Sequence, residues 1–278
     1  MGVIGLLFAA SSFTLIAYDV VSHLYARSQA YRCLHEGRLA DGIAWFSTII
    51  SADRAVPEDY AARGWAYMHL RQYEAAVRDL TEAIDLGPSL PAAHEDRGWV
   101  RLQTGDDLGA IEDYTHALLL DPTRARALCG RAAALGRLGH YAEALSDLNE
   151  ALDQDPESAT AWGGRGWIRL QTGDNAAAVE DYTRSLALDP TCAKALEGRA
   201  AALSRLGRYA KALSDLDEAL EQDPECATAW ASRGATHYNL GMFEESVSDH
   251  RRALELDPGN LQVLRWLEEA EAHLPRHG

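Results

Sequence analysis

The sequence contains almost no lysine. Lys194 and Lys211 are the only two in 278 residues, and the formal net charge is −16. Because nucleic acids are bound mainly through basic side chains that contact phosphates, this composition argues against a nucleic-acid-binding protein. Cysteine is also scarce, and Cys33, Cys129, Cys192 and Cys226 form no C-x-x-C motif. We therefore expect four free thiols.

Signatures of catalysis are missing as well. The ten histidines are scattered along the chain, and no glycine-rich phosphate loop follows a predicted strand. The glycines instead recur at positions that suit helix packing and tight turns. We therefore predict no catalytic residues, no metal site, no cofactor and no enzymatic activity.

What the sequence does contain is an internal repeat of fixed length. Its clearest mark is a proline at Pro88, Pro122, Pro156, Pro190, Pro224 and Pro258. With this proline at repeat position 32, six repeats follow one another. They are repeat 1 (57–90), repeat 2 (91–124), repeat 3 (125–158), repeat 4 (159–192), repeat 5 (193–226) and repeat 6 (227–260). A fixed period of this length is typical of stacked helical pairs.

Each repeat carries the pattern of two helices joined by a turn. Positions 8, 20 and 27 hold glycine, alanine or serine, which allow helices to approach closely, whereas position 24 is bulky. Position 15 is glycine in repeats 2 to 6, as expected for a left-handed residue after a helix. The proline stops the second helix, since the residue before a proline avoids helical dihedrals. We call the two helices of a repeat helix A and helix B.

This pattern resembles the tetratricopeptide repeat family, with Trp162 and Trp230 at its tryptophan position and Tyr67 at its tyrosine position. The resemblance implies an all-α fold, a right-handed superhelical solenoid of stacked helix-turn-helix repeats. Residues 23–56 are expected to form a degenerate first repeat and 57–260 the six full repeats. Residues 261–278 are expected to form a capping helix and tail, with an apolar stripe made of Leu261, Leu264, Leu267, Ala270 and Leu274.

Charged residues recur in a second pattern. Position 7 is arginine and position 23 is aspartate in all six repeats, and the degenerate repeat has lost both. The joint loss predicts that the two side chains meet in an Arg–Asp brace between helices A and B, rather than forming a ladder of ligand-binding arginines. Arginine at position 7 indicates an Arg/Asp-containing subtype of the family.

The N-terminus contains the one long apolar segment. Residues 2–18 carry no charge, and basic residues begin only at Arg27. A helix of about 20 mostly apolar residues can span a bilayer. We therefore expect residues 1–22 to form a single-pass anchor in a lipid bilayer, with the repeats in the cytoplasm because basic residues follow the segment. The alternatives are a helix that caps the solenoid, a cleaved signal peptide, or a soluble or periplasmic protein.

By analogy with the family, helix A lines the concave face, and positions 9 and 13 there indicate a groove for a partner peptide or protein. An aromatic residue next to amides and arginines suits such a groove. The candidate binding residues are Tyr31, Trp65, His69, Trp99, Gln103, Arg137, Trp167, Gln171, Arg205 and Asn239.

The sequence also contains a longer repeat, since residues 91–158 and 159–226 are identical at about two thirds of their positions. An elongated binding surface can gain from such a duplication. We therefore predict a membrane-anchored protein-interaction scaffold. A structural or assembly subunit of a larger membrane complex, which would use its outer edges, and a ligand-sensing regulatory module are the alternatives.

Overall fold

A computed structural model describes residues 22–52 and 55–274. The chain divides into two compact units, Met1–Leu138 (unit 1) and Gly139–Gly278 (unit 2). All regular secondary structure in the described residues is helical, which confirms the all-α prediction. The predicted domain boundaries remain a prediction.

Unit 1 contains seven helices in its described part. The first, α1, comprises residues 22–35. It is followed by α2 (Leu39–Ser51), α3 (Pro57–His69), α4 (Tyr73–Leu86), α5 (Pro91–Thr104), α6 (Asp107–Leu120) and α7 (Ala125–Arg137). Helices α3 and α4 pack as the A and B helices of repeat 1, and α5 and α6 as those of repeat 2.

Unit 2 contains eight helices in its described part. They are α8 (Tyr141–Gln154), α9 (Ala159–Thr172), α10 (Asn175–Leu188), α11 (Ala193–Arg205), α12 (Tyr209–Gln222), α13 (Ala227–Asn239), α14 (Phe243–Leu256) and α15 (Leu261–Ala272). Helices α9 and α10, α11 and α12, and α13 and α14 pack as pairs, and α15 packs on α14. The predicted stacking of helix pairs is confirmed within each unit.

The small residues at position 8 set how closely the two helices of a repeat approach. A Cβ atom added to Gly64 would lie 2.8 Å from Cγ of Leu80, which occupies position 24. In repeat 4, a Cβ on Gly166 would lie 3.2 Å from the ring of Tyr182. The bulky residue at position 24 therefore fills the space that the small residue leaves.

The two tyrosines at position 24 also need space in the next repeat. A Cβ on Gly130 would lie 2.2 Å from Cζ of Tyr114, and one on Gly198 would lie 2.3 Å from Cζ of Tyr182. Both tyrosine side chains are buried. Position 6 is thus restricted to glycine where a tyrosine precedes it.

The turn between helix A and helix B requires a left-handed residue. Gly105, Gly139, Gly173, Gly207 and Gly241, all at position 15, have φ between 72° and 86°. This confirms the prediction for these turns. Repeat 1 has Arg71 at the same position, with φ of 56°, a conformation that costs an L-residue with a Cβ roughly 1–2 kcal/mol.

The C-terminal helix α15 packs through only part of the predicted stripe. Leu261 is 69% exposed and Leu264 is 42% exposed. Ala270 of the stripe is buried, as is Val263, which lies outside the stripe, and the ring of Trp266 lies 5.9 Å from that of His250 on α14. The predicted stripe was therefore wrong at Leu261 and Leu264, because it used only the spacing of the apolar residues, whereas Leu267 and Leu274 are half-buried.

The membrane localisation is also contradicted. Among residues 22–52 and 55–274, no helix combines the length and the apolar character that crossing a bilayer requires. Residues 1–21, where most of the predicted anchor lies, are outside the described part of the chain. The described helix that follows them is amphipathic, since Ala30 and Cys33 are buried and Arg27 makes two hydrogen bonds of 2.7 and 2.6 Å to the buried carboxylate of Asp59.

Candidate functional site

The Arg–Asp brace forms in five repeats as a bidentate ion pair within each repeat. Its pairs are Arg63–Asp79, Arg97–Asp113, Arg165–Asp181, Arg199–Asp215 and Arg233–Asp249. In repeat 5, Nε and Nη2 of Arg199 each donate to Asp215 at 2.8 Å. This hydrogen bond raises the pKa of Arg199. The equivalent pair of Arg131 and Asp147, which belong to different units, remains a prediction.

The same arginines also reach the preceding helix B. Nη1 of Arg97 donates to Thr81 at 3.0 Å, and Nη1 of Arg165 donates to Asn149 at 2.7 Å. Each of these guanidinium groups therefore joins three helices. Their role is to hold neighbouring repeats together, and they are not available for a ligand.

The predicted binding residues of repeats 1 and 2 lie on the helix A face, by which we mean the surface that carries positions 9 and 13 of the A helices. Trp65 and Trp99 are half-buried, and His69 and Gln103 are exposed. The rings of Trp65 and His69 stand 4.0 Å apart. Burial lowers the pKa of His69, and the nearby Arg126 lowers it further. Gln103 has no hydrogen-bond partner among the described residues.

Two other predicted residues of unit 1 have structural contacts. Tyr31 is 42% exposed, and its ring packs edge-on against Phe46 at 5.2 Å. Nη1 of Arg137 donates to the carbonyl of Leu102 at 2.6 Å and to Asp107 at 3.0 Å. Arg137 thus satisfies a carbonyl at the C-terminal end of α5, so this cation is not free for a partner.

Unit 2 holds the remaining predicted residues. Trp167 is 36% exposed, and Gln171, one turn later, is exposed without a hydrogen-bond partner among the described residues. Nη1 of Arg205 donates to the carbonyl of Leu170 at 2.6 Å, as Arg137 does in unit 1. Asn239 is exposed, and its side-chain amide donates to the carbonyl of Ala235 in the same helix.

Unit 1 also contains a cluster of four charged side chains, two acidic and two basic, that the sequence did not predict. Glu95 is 2% exposed and lies between two arginines, with Arg124 at 2.7 Å and Arg126 at 3.3 Å. Arg126 is also 3.3 Å from Asp96. Burial raises the pKa of Asp96 to about 6, against the lowering effect of Arg126. The cluster could not be read from the sequence because its acids and its arginines lie on different A helices or in the turn between repeats.

Unit 2 has a cavity of about 300 Å³ where α9 faces α11. It is lined by Gly163, Gly164 and Trp167 of α9 and by Tyr182 of α10. Cys192, Lys194 and Ala195, at the start of α11, also line the cavity. Trp167 is the one predicted binding residue that lines this cavity.

The described residues offer no group of three or more His, Cys, Asp or Glu side chains that could hold a metal ion. All four cysteines are free, as expected from their spacing. Within each unit, the helix A face carries aromatic rings and exposed amides, and in unit 2 it also borders the cavity. These groups suit binding by contact and hydrogen bonding.

Comparisons with known proteins agree with this geometry. Residues 57–90, 129–193 and 197–260 match family models described as tetratricopeptide repeat, and together they make up more than half of the chain. No curated protein has a significantly similar sequence. The solved structures described next are at most 24% identical to this chain in sequence, so their likeness to it concerns the fold alone.

Three of these structures illustrate the likeness. A tetratricopeptide repeat protein from Parabacteroides merdae is 19% identical over 90% of this chain and 99% of its own, with a TM-score of 0.69. PilF of Pseudomonas aeruginosa is 24% identical over 78% of this chain and 97% of its own, with a TM-score of 0.67. YrrB, described as a tetratricopeptide repeat protein with an unusual peptide-binding site, is 22% identical over 67% of this chain and 96% of its own, with a TM-score of 0.52.

Proposed function

Because the chain belongs to the tetratricopeptide repeat family, we propose that it is a protein-interaction scaffold that binds an extended peptide segment of a partner on its helix A face. The proposal includes no catalytic step. The likeness in fold to YrrB, whose structure is described as having a peptide-binding site, supports the class of partner but not its identity.

One observation carries the proposal. The tryptophan–glutamine pair at positions 9 and 13 occurs twice, as Trp99 with Gln103 and as Trp167 with Gln171. Both glutamines are exposed and have no hydrogen-bond partner among the described residues, whereas the arginines at this position, Arg137 and Arg205, are occupied. A free side-chain amide both donates and accepts, so it can pair with the backbone of an extended peptide while the indole supplies apolar contact area.

A selection from a library of random decapeptides tests the proposal. The full chain is immobilised, and the selected peptides are then compared on the Trp65→Ala/Trp99→Ala/Trp167→Ala variant. Since aromatic anchors typically contribute more than about 1 kcal/mol each, we expect binding to weaken at least about 10-fold. Peptides that bind this variant as tightly as the original chain would contradict the proposal.

Two further variants make the selection interpretable. Gln103→Ala/Gln171→Ala changes only exposed side chains, so a loss of binding there cannot come from unfolding. The control is Leu108→Ala/Leu119→Ala on helix B of repeat 2, where the two leucines are 73% and 74% exposed. We expect this control to bind the peptides as the original chain does.

The exposed leucines favour a second candidate function, assembly through the outer surface. Large exposed apolar side chains often mark protein contacts, and Leu108 and Leu119 lie on helix B and not on helix A. A partner that tolerates the tryptophan substitutions but not the leucine substitutions would support this alternative.

A further inference from the structure

The duplicated segments 91–158 and 159–226 differ in a coordinated way around one place. Four residues of the first copy are charged and can form ion pairs with one another, and their counterparts in the second copy cannot. The exchanges are Glu95 to Gly163, Asp96 to Gly164, Arg124 to Cys192 and Arg126 to Lys194. In contrast, the neighbouring Trp99 and Tyr114 are retained as Trp167 and Tyr182.

In the first copy, the four charged side chains are held by one another. Arg124 and Arg126 both pair with Glu95, and Arg126 also pairs with Asp96. The Glu95 side chain is 2% exposed. The space between α5 and α7 is therefore occupied by the protein's own side chains.

In the second copy, the same space is open. Two glycines replace the two carboxylates, so the backbone of α9 itself forms one wall of the cavity of about 300 Å³. A cavity of this size is at the lower end of the range for small-ligand sites, and it suits one large side chain. Trp167 and Tyr182 are unchanged, and the four charged side chains that fill this space in the first copy are absent from the second.

The lining determines what the cavity can accept. The glycine backbone, the Trp167 indole, the Cys192 thiol and the Ala195 methyl are mostly apolar surface. Asp189 also lines the cavity, but its carboxylate accepts from the Thr191 backbone N–H at 3.1 Å and from the Thr191 hydroxyl at 2.8 Å. The Asp189 carboxylate is thus held by the turn between α10 and α11.

One charge at the edge of the cavity has no partner. Lys194 is exposed and forms no ion pair among the described residues, in a chain with a net charge of −16 and only two lysines. A carboxylate on the occupant would complement this ammonium group. A cation there would meet a like charge.

From these observations we propose that the cavity between α9 and α11 is a specificity pocket for an apolar side chain whose next residue in the partner peptide carries a carboxylate. The proposal rests on the proposed function and gives it a sequence preference. The apolar side chain enters between Gly163 and Cys192 and packs on Trp167, while the carboxylate pairs with Lys194.

Synthetic peptides test this preference directly. Three fluorescein-labelled decapeptide pools carry the central pair Leu-Asp, Ser-Asp or Leu-Lys in the same mixed flanks, and binding to the full chain is measured by fluorescence anisotropy. We expect the Leu-Asp pool to bind at least about 10-fold more tightly than either of the others. Equal binding of the three pools would overturn the pocket.

Two protein variants locate the effect. Gly163→Glu/Gly164→Asp/Cys192→Arg/Lys194→Arg introduces the four charged residues of the first copy. We expect it to lose the preference for Leu-Asp. Lys194→Glu changes one exposed side chain and should fold normally, and it should bind the Leu-Lys pool better than the Leu-Asp pool.

The outcomes separate this proposal from the proposed function. If the four-residue variant folds and still prefers Leu-Asp, or if Lys194→Glu does not alter the preference, the pocket is overturned. If binding of all pools then depends on the three tryptophans, the proposed function stands without the pocket. If no pool binds, the pocket is likewise overturned, and the library selection decides the proposed function independently.

Discussion

The buried carboxylate of Asp181 offers the most direct measurement of what the Arg–Asp brace contributes. It accepts hydrogen bonds from Nε and Nη2 of Arg165 at 3.0 and 2.9 Å and from Nη1 of Arg169 at 2.7 Å. The side chain is 2% exposed. Asp181→Asn keeps the shape of the side chain but removes its charge, which leaves two arginines without their counter-ion.

The expected decrease in the free energy of unfolding follows from this geometry. Breaking a buried ion pair by removing one partner costs about 3–5 kcal/mol, whereas an exposed pair contributes roughly 0–1 kcal/mol. Asp215 has one arginine partner, Arg199. We therefore expect Asp215→Asn to cost less than Asp181→Asn by about 1.5 kcal/mol, the value of one hydrogen bond to a charged group.

The assay must be local, because repeats contact mainly their neighbours and need not unfold together. Amide hydrogen exchange of α9 and α10 reports the free energy of opening of repeat 4, and urea unfolding by circular dichroism gives a global comparison. Asp153→Asn, at an exposed carboxylate of α8 without an ion pair among the described residues, is the control. A loss below about 1 kcal/mol for Asp181→Asn would show that the brace behaves like a surface pair and would refute the argument.

Three other substitutions test charge, packing and turn geometry. Burial raises the pKa of Asp96 from 3.8 to about 6, so the folded state holds this proton more tightly. The contribution of Asp96 to the free energy of unfolding should therefore fall by roughly 2 kcal/mol as pH rises from 4 to 6, and Asp96→Asn should remove that fall in urea titrations at each pH. Gly198→Ala should destabilise by about 1–3 kcal/mol through overpacking on Tyr182, whereas Gly259→Ala, with nothing nearer than 3.8 Å to the new Cβ, should not. Arg71→Gly should stabilise by up to about 1 kcal/mol, because it removes the Cβ from a left-handed residue, and an unchanged melting temperature would contradict this.

Much of the fold was predictable because the fixed repeat length determines where the helices begin and end. The recurring proline and the glycine at position 15 mark the helix ends, and the paired pattern of arginine and aspartate predicted the brace between helices A and B. These features are repeated many times, so chance variation at one position does not hide them. Arg71 escaped prediction because nothing in the residue type indicates a positive φ.

Features that depend on a single tertiary contact were not predictable in the same way. The ion pair of Arg27 with Asp59 joins residues in helices α1 and α3, and neither is part of the repeat pattern. The packed face of α15 depends on which neighbour it has, so Val263, outside the predicted stripe, is buried and Leu261, within it, is exposed. The cavity of unit 2 was not predictable because it is formed jointly by the two glycines of α9 and by Cys192 and Lys194, which are distant in the sequence.

The contacts of the two buried tyrosines also constrain how a chain of this kind can change its length. Tyr114 and Tyr182 lie in alternate repeats, and each requires the glycine at position 6 of the repeat that follows. Recombination that removes repeats 4 and 5 together would remove Tyr182 and Gly198 as a pair and leave Tyr114 facing Gly130. Removal of repeat 5 alone would set Tyr182 against Ser232, where a side chain has no room. We therefore expect natural length variants to differ by two repeats more often than by one.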